Sequence, residues 1–203
     1  MEQKQEEKFK IFDLYSLSEI EIKDPALKPY INLTPRLLLK SHGRIKGKFS
    51  IVKVNVVERL ANHVGVPGHM GKKHKIITSW SSGKFTKNMG TVLESLKIIE
   101  ERTKKNPVQV LITAIENGSP RDEITVIEHA GSRYPQAVDC SPMRRINLAL
   151  RWFVQGAYAK AFGKKKKMAD TLANEIILAS NGSMDSYAMV KKNEGEKQAD
   201  SAR

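Results

Sequence analysis

The sequence predicts a mainly α-helical protein, a single bundle of about six helices with one projecting β-ribbon and an extended N-terminal segment. Apolar residues recur at helical spacing in successive stretches after residue 49. One β-branched stretch, residues 123–128, alternates partly instead and precedes a glycine turn. The first 49 residues follow neither pattern. We therefore expect a partly irregular N-terminal extension over 1–49 and a helical domain over 50–203, with the ribbon at about 122–140.

Helical spacing of apolar residues predicts three helices before the ribbon. Residues 50–64 carry Val57, Leu60, Ala61 and Val64 on one face. Thr91 and Glu94 form a capping-box pattern, which predicts a second helix beginning there. The third is expected to begin at Asn106-Pro107 and to end at Asn117-Gly118. All three are expected to bury one apolar face in the bundle.

The ribbon and the last three helices follow in order. Residues 123–128 and 136–139 are the expected strands, with Gly131-Ser132 as their turn and Pro135 restricting the second strand to an edge. Ser141-Pro142 predicts the start of a long helix that Gly163 ends. Residues 168–180 predict another, and Ser183 is a candidate cap for the last. Residues 193–203 are expected to be frayed, so that their deletion spares folding.

Charge is segregated along the chain. The net charge is +13, yet 36–48, 72–87 and 141–169 carry five, five and eight cations and no acid. The rest of the chain is slightly acidic. An ordinary solvated surface would mix the two signs, so three purely basic stretches indicate a polyanionic partner.

Two arginines stand where a helix normally places acids. Arg144 and Arg145 fall in the first turn after Ser141-Pro142, where the helix dipole disfavours positive charge by up to about 1 kcal/mol each. A helix start also presents N–H donors to phosphate. Because the apolar stripe begins only at Ile146, we expect both arginines to have little part in the core and to bind nucleic-acid phosphate.

Other functional classes have weaker support in the sequence. Glycine and lysine at 71–73 lack the serine or threonine and the earlier glycine of a nucleotide-binding loop. The histidines have no partner cysteines at metal spacing, so neither metal nor cofactor is expected. Cys140 could be a catalytic thiol with His129 as its general base, but the sequence indicates neither a third residue to orient the histidine nor an enclosing pocket. No apolar run is long enough for a membrane span, and one cysteine fits a reducing cytosol. The alternative that stays open is a helical DNA-binding or nucleoid-type protein.

Several runs resemble one protein family. They are NPVQVLITAIENGSPR at 106–121, Ala130-Gly131, QAVD and SPMRR within 136–145, GKK at 71–73, and NGSMDSYAMVKK at 181–192. Together they resemble the universal small-subunit ribosomal protein family, number seven in bacteria and five in eukaryotes, in its archaeal and eukaryotic branch. The resemblance implies a non-enzymatic protein of the cytoplasmic ribosome that binds small-subunit ribosomal RNA. It further implies a place in the subunit head, beside neighbouring head proteins and near the exit-site transfer RNA and the messenger RNA path.

Charge and resemblance together give the expected RNA-binding residues. They are Arg36, Arg44, Lys46, Lys48, Lys72, Lys73, Lys75, Arg121, Arg133, Arg144, Arg145, Arg151, Lys164, Lys165, Lys166, Lys167, Tyr187, Lys191, Lys192 and Arg203. The chain departs from the family at two places. Tyr134 and Pro135 stand at the ribbon tip where arginine is usual, and the stretch 74–89 is longer than the usual connection.

Overall fold

Six α-helices and one two-stranded ribbon make up the part of the chain that the computed structural model describes, which is residues 10–12, 14–17, 20–35, 39–41, 45–67 and 84–203. The mainly helical fold with one ribbon is therefore confirmed. The elements are α1 (Val56–Val64), α2 (Phe85–Thr103), α3 (Pro107–Gly118), β1 (Asp122–His129), β2 (Ser132–Asp139), α4 (Pro142–Ala161), α5 (Met168–Ser180) and α6 (Tyr187–Ser201). Short 3-10 turns lie at Lys28–Tyr30 and Ser50–Lys53.

The core lies where α5 packs among α2, α3 and α4. Leu172 and Ile176 of α5 are fully buried, as are Leu111 of α3 and Phe153 of α4. Burying a side chain of this size contributes about 1.5–3 kcal/mol relative to leaving it exposed. The face of α4 that carries Phe153 is thereby fixed inward, and this decides which of its residues can face solvent.

The N-terminal segment lies across α3. The side chain of Gln109 accepts a hydrogen bond from the Glu21 amide at 2.9 Å. Glu116 accepts from the Lys23 amide at 2.6 Å and from the Asp24 amide at 3.0 Å. Fully buried apolar residues of the segment, Ile11 and Leu27 among them, belong to the same core as the helices. The division of the chain at residue 49 stays a prediction.

Three predicted helix starts are wrong. Ser183 does not cap the last helix, because α6 begins after Ser186. The 3-10 turn at Ser50–Lys53 precedes α1, which begins only after Asn55, whose side chain accepts from the Val57 amide at 2.9 Å. The capping box at Thr91 does not form, because α2 already begins at Phe85 and the Thr91 hydroxyl donates to the Lys87 carbonyl within it. Most of the long stretch 74–89 lies outside the described residues.

The ribbon pairs antiparallel from Asp122↔Asp139 to His129↔Ser132. Its two-residue turn is Ala130-Gly131, one position earlier than predicted, with φ of 51° and 78°. Two successive positive φ angles match the type I′ turn, whose twist suits a hairpin, and glycine adopts the second one without strain. β1 is one residue longer than predicted at each end, and β2 begins four residues earlier than predicted but ends at Asp139 as expected. The ribbon projects Val126 and Tyr134 into solvent, each 59% exposed.

The C-terminal residues are helical rather than frayed, which corrects the sequence prediction. α6 continues to Ser201, and Ala199 on it is fully buried. Buried Glu175 of α5 holds the start of α6, accepting hydrogen bonds from Ser186 Oγ at 2.8 Å and from the Ala188 amide at 3.3 Å. Helix α6 then lies against α4 and β1, so the root of the ribbon is supported from the C-terminal side.

Candidate nucleic-acid interface

One side of α4 carries a line of cationic and aromatic side chains, of which Tyr158 is half-buried and the others are exposed. Arg144, Arg151, Tyr158 and Phe162 are spaced by seven, seven and four residues, which places them on one face of a helix with 3.6 residues per turn. From Arg144 to Phe162 the line spans about 27 Å at 1.5 Å per residue. Helix α6 packs on the other side, since a Cβ at Gly156 would lie 2.6 Å from that of Tyr187. We call these four residues, together with Lys164, Lys165, Lys166 and Lys167 beyond them, the α4 basic stripe.

The two arginines at the start of α4 have opposite surroundings. The guanidinium of Arg145 is buried and donates to the Pro120 carbonyl at 3.1 Å, to Asp24 Oδ2 at 2.9 Å and to Ser119 Oγ at 3.3 Å. The expectation that Arg145 has little part in packing is therefore wrong. It ties the N-terminal segment to the junction between α3 and the ribbon.

Arg144 faces solvent, in agreement with the sequence expectation. Its side chain is 55% exposed, and its Nε lies 2.7 Å from Glu123 Oε1 on β1. An exposed ion pair of this kind contributes only about 0–1 kcal/mol, so a phosphate can take the place of Glu123 at little cost. Ser141 occupies the capping position, but its side chain makes no capping hydrogen bond.

The cation in the middle of the stripe is Arg151, and it shares the neighbourhood of His63 with a second arginine, Arg59. Arg151 is exposed, and no carboxylate in the described part of the chain pairs with it. His63 of α1 lies beside it, with Val66 and Val154, around a small surface cavity. Burial, aided by Arg151 and Arg59, lowers the pKa of His63 to about 4. The imidazole is therefore neutral at pH 7 and adds no charge to that of the two arginines.

Sequence reasoning missed Arg59, which underlies this part of the stripe. It is 2% exposed, and its two terminal nitrogens donate to the Tyr30 carbonyl at 3.0 Å and to Asn147 Oδ1 at 2.9 Å. Its Nε has no partner among the described residues, and burial lowers the pKa of the guanidinium to about 10. A single arginine within an apolar helix face belongs to no charge run, so the charge pattern gave no signal for it.

The far end of the stripe is a lysine-rich loop. Lys164, Lys165 and Lys166 follow Gly163, which has a φ of 70°, and all three are exposed. None of them has a carboxylate partner among the residues described. Lys167 is also exposed, and its Nζ lies 3.4 Å from Glu94 Oε1. Lys87, at the facing start of α2, adds a further exposed cation.

A second group of expected RNA-binding residues gathers at the base of the ribbon, where the protein's own acceptors already hold them. Lys192 Nζ donates to the Asn117 carbonyl at 2.8 Å, and burial lowers its pKa. Arg203 lies 2.6 Å from Asp122 Oδ2 on β1. The Arg121 amide donates to Glu196 at 3.0 Å. With Arg145 and Asp24, these residues form what we call the ribbon-root cluster.

The remaining expected residues are scattered. Lys191 pairs with Glu194 at 2.5 Å and lies 5.8 Å above the ring of Tyr187. Arg133 at the ribbon tip is 76% exposed and 3.6 Å from Glu128. Lys46 and Lys48 are exposed in the chain before Ser50, with Lys48 Nζ 5.9 Å above the Phe49 ring. Five expected residues lie outside the described part of the chain: Arg36, Arg44, Lys72, Lys73 and Lys75.

Comparison with known proteins identifies the family. The profile of the family described as Ribosomal protein S7p/S5e matches residues 32–203. The chain belongs to this family. It is 45% identical over 197 residues to the small ribosomal subunit protein uS7 of Nanoarchaeum equitans, covering 97% of this chain and all of the relative. The uS7 protein of Archaeoglobus fulgidus is 42% identical, covering 97% and 96%, and that of Methanococcus maripaludis is 43% identical, covering 96% and 98%.

S7p/S5e proteins are structural components of the ribosome and not enzymes, and the surroundings of Cys140 agree with that. The thiol is buried, and burial together with Glu123 raises its pKa to about 11. A thiolate is the nucleophilic form, so this cysteine is not activated at neutral pH. The side chain of His129, its expected base, lies outside what the structure describes.

Two further observations concern metal sites and membrane spans. Within the described residues, no group of three or more histidine, cysteine or acidic side chains is arranged to hold a metal ion. No helix in the same part of the chain is both long and apolar enough to cross a membrane. Membership of the S7p/S5e family also rules against the alternative prediction, a helical DNA-binding or nucleoid-type protein.

Proposed function

We propose that this S7p/S5e protein, a structural constituent of the small ribosomal subunit in the cytoplasm, binds small-subunit ribosomal RNA through the α4 basic stripe. The observation that carries the proposal is the difference in pairing between its cations and those elsewhere. Arg151, Lys164, Lys165 and Lys166 have no carboxylate partner in the described part of the chain, and Arg144 and Lys167 have only one each. Outside the stripe, carboxylates pair with Arg133, Arg145, Lys191 and Arg203. A line of unpaired cations suits a phosphate chain, because binding releases the counterions that the RNA has condensed.

The shape of the stripe favours the backbone of RNA over its base edges. Four lysines on a loop after Gly163 can follow phosphates without a fixed geometry, while Arg144 and Arg151 are held on a rigid helix. Guanidinium groups bind phosphate with two parallel hydrogen bonds, so the two arginines set the register and the lysines add affinity. This division of labour fits recognition of RNA by shape and backbone.

The other two basic stretches extend this surface in the proposal. Lys46 and Lys48 are exposed, and Lys87 lies at the edge of α2 near the lysine loop. Arg36, Arg44, Lys72, Lys73 and Lys75 are assigned to RNA on charge and resemblance alone.

The finer placement in the ribosome is likewise a proposal. The ribbon tip is directed at the exit-site transfer RNA and the messenger RNA path, and its exposed Val126, Ile127 and Tyr134 favour contact by shape and stacking over charge. Tyr187, Lys191 and Arg203 of the C-terminal segment are assigned to the same RNA partners on the resemblance alone. Neighbouring head proteins cover part of the slightly acidic remainder of the surface.

A matched pair of triple variants tests the assignment of the stripe. The first replaces Arg151, Lys164 and Lys165 with alanine, and the control replaces Lys28, Lys97 and Lys105, three exposed lysines away from it. Both remove three charges. RNA of the small-subunit head is titrated with each at several salt concentrations. The stripe variant should lower the log–log salt slope by about 0.7–0.9 for each phosphate interaction removed, up to about 2–3 in total, with the control near wild type.

Thermal melting accompanies the titration, because all six positions are exposed and neither variant should unfold. Arg133→Ala, measured in parallel, should weaken binding less than the stripe variant does. Equal losses in the two triple variants would show that net charge alone, rather than the stripe, holds the RNA.

A further inference from the structure

A cleft with an aromatic wall lies at the end of the α4 basic stripe. It has a volume of about 260 Å³ and lies between the end of α1, the start of α2 and the end of α4. Tyr158 and Phe162 line one side, with ring centroids 5.3 Å apart and planes at 33°. Phe162 is 59% exposed, although a phenylalanine at this position could have packed inward. The opposite parts of the lining come from Val64, Pro67 and Met168.

The rim of this aromatic cleft is positively charged. Lys87 stands on the α2 side and Lys166 on the loop side, and both are exposed. Neither has a carboxylate partner within the described ranges, and no acidic residue of those ranges lines the cleft. Binding of an apolar protein helix does not require an unpaired cation at each edge of the groove. The combination of a flat aromatic face and two flanking cations matches a base and its phosphates.

The dimensions limit what can enter. Pockets for whole small-molecule ligands are usually about 300–1,000 Å³, so this cleft is small for one. It can hold a single flat ring against Phe162, with the sugar and phosphates outside near the lysines. The Tyr158 hydroxyl is neutral at pH 7 even at its ordinary pKa of 10, and burial raises that pKa further, so the phenol does not repel phosphate.

We propose that the aromatic cleft takes one unpaired nucleobase of the bound RNA, stacked on Phe162 and flanked by phosphates on Lys87 and Lys166. This proposal rests on the proposed function, since it places a base-binding point at the end of the phosphate-binding stripe. A helical RNA segment lying on the stripe would have to end, bulge or turn here. The cleft therefore recognises a place where the RNA is locally single-stranded. It does not distinguish between bases, because every base has a stacking face.

The test compares two single-stranded probes with the full-length protein. One is an oligoadenylate dodecamer, and the other is an abasic strand with the same number of phosphates. Phe162→Ala should weaken oligoadenylate binding about 5- to 150-fold, the range expected for one stacked base, and should leave the abasic strand unchanged. Phe162→Trp should restore oligoadenylate binding. Leu14→Ala, at a residue 53% exposed elsewhere on the surface, is the control and should alter neither affinity.

The lysines have a different signature. The double variant Lys87→Ala with Lys166→Ala should weaken both probes equally and lower the salt slope by about 0.7 for each lysine that binds phosphate. If Phe162→Ala weakens both probes equally, or neither, the stacking assignment is overturned. It is also overturned if a hexaglutamate peptide binds the cleft and Phe162→Ala removes that binding, because the partner would then be an acidic protein segment.

One occupant from the protein itself is tested separately. If only a variant with residues 69–82 replaced by a short glycine-serine linker binds oligoadenylate, the cleft belongs to the protein's own chain and the proposal fails. The two proposals fail differently. A stripe triple variant whose salt slope equals that of wild type, together with an intact Phe162 effect, would remove the phosphate assignment alone. A lowered slope without a Phe162 effect would remove only the cleft.

Discussion

The α4 basic stripe and the ribbon-root cluster contain the same residue types and differ in what those residues contact. In the cluster, Arg145 and Arg203 meet aspartates at 2.9 and 2.6 Å, and Lys192 meets a backbone carbonyl at 2.8 Å. In the stripe, Arg151 has a neutral histidine beside it and no acid among the described residues. Cations that already have partners stabilise the fold. In our proposal, the exposed cations of the stripe are the ones that bind RNA.

Neighbouring residues of α4 repeat this contrast within a single turn. Arg144 and Arg145 differ by about 100° in direction around the helix, and this alone decides their roles. Arg145 points at Asp24 and Ser119, whereas Arg144 points at solvent and Glu123. The pair offers a comparison of two residues of the same type at adjacent positions of the same helix.

The largest effect is expected from separating these two arginines. Arg145→Ala should reduce the free energy of unfolding by about 2–4 kcal/mol, because it leaves partly buried Asp24 and the Pro120 carbonyl without their donor. Arg144→Ala should cost less than about 1 kcal/mol. Denaturant titration of both variants measures the difference. Equal free energies of unfolding for the two variants would mean that the contacts of Arg145 do not stabilise the fold. The distinction between the stripe and the cluster would then fail at this helix.

Arg145→Ala should also change how the stability of the protein depends on pH in acid. Burial alone would raise the pKa of Asp24, but the Ala26 amide and Arg145 outweigh it and lower the pKa below its ordinary value of 3.8. A lowered carboxyl pKa contributes stability above the unfolded value, and this stability is lost as the pH falls through the folded value. Wild type should therefore lose more stability than Arg145→Ala between about pH 4 and pH 2.

A smaller effect is expected from removing residues 193–203. The truncated protein should remain folded but lose about 1–3 kcal/mol, because Ala199 is buried and Glu196 and Arg203 hold β1. Chemical denaturation gives the stability, and limited proteolysis should cut the ribbon faster than in wild type. Alanine replacement of Lys165 and Lys166 is the control, since it removes charge from the stripe and should leave proteolysis unchanged. A truncation that melts like wild type would restore the interpretation of this segment as a frayed tail.

The smallest effect concerns His63 in the stripe. Its pKa, about 4 in the free protein, is lowered first by burial and then by Arg151 and Arg59. A phosphate bound at Arg151 would cancel part of that repulsion, so the pKa should rise on binding RNA. Nuclear magnetic resonance titration of the imidazole, with and without RNA, measures the shift. In free Arg151→Ala the pKa should already be higher, and it should respond less to RNA. A pKa that does not move with RNA would place the phosphates elsewhere.

Sequence reasoning succeeded where the signal was local. Asn106 caps α3 with its side chain, Pro107 follows, and the helix ends at Gly118 as predicted. The β-branched run at 123–128 and the nearby glycine were enough to find the ribbon. The start of α2 was missed because Lys84 in its capping position makes no side-chain cap, whereas Thr91 offered a false one.

The failures at the candidate site have a different cause, which is distance along the chain. Arg145 acquires its role from Asp24, 121 positions away, and no local pattern announces that contact. Helix α6 has no continuous apolar stripe, and only Ala188 and Ala199 on it are buried, so residues 193–203 resembled a polar tail. The segregation of charge along the sequence identified the basic residues of the stripe. Which of these cations are paired could be seen only in the tertiary structure.

The position of α6 along the chain also sets an order of events. Synthesis produces the ribbon and α4 before α6, so the ribbon first exists while Asp122 and the Arg121 amide lack Arg203 and Glu196. A two-stranded hairpin on its own is at best marginally stable in water. The cations of α4 and its following loop are already present at that stage. If the stripe binds RNA as proposed, a nascent chain therefore carries its RNA-binding cations before it contains the residues of α6 that support the root of the ribbon.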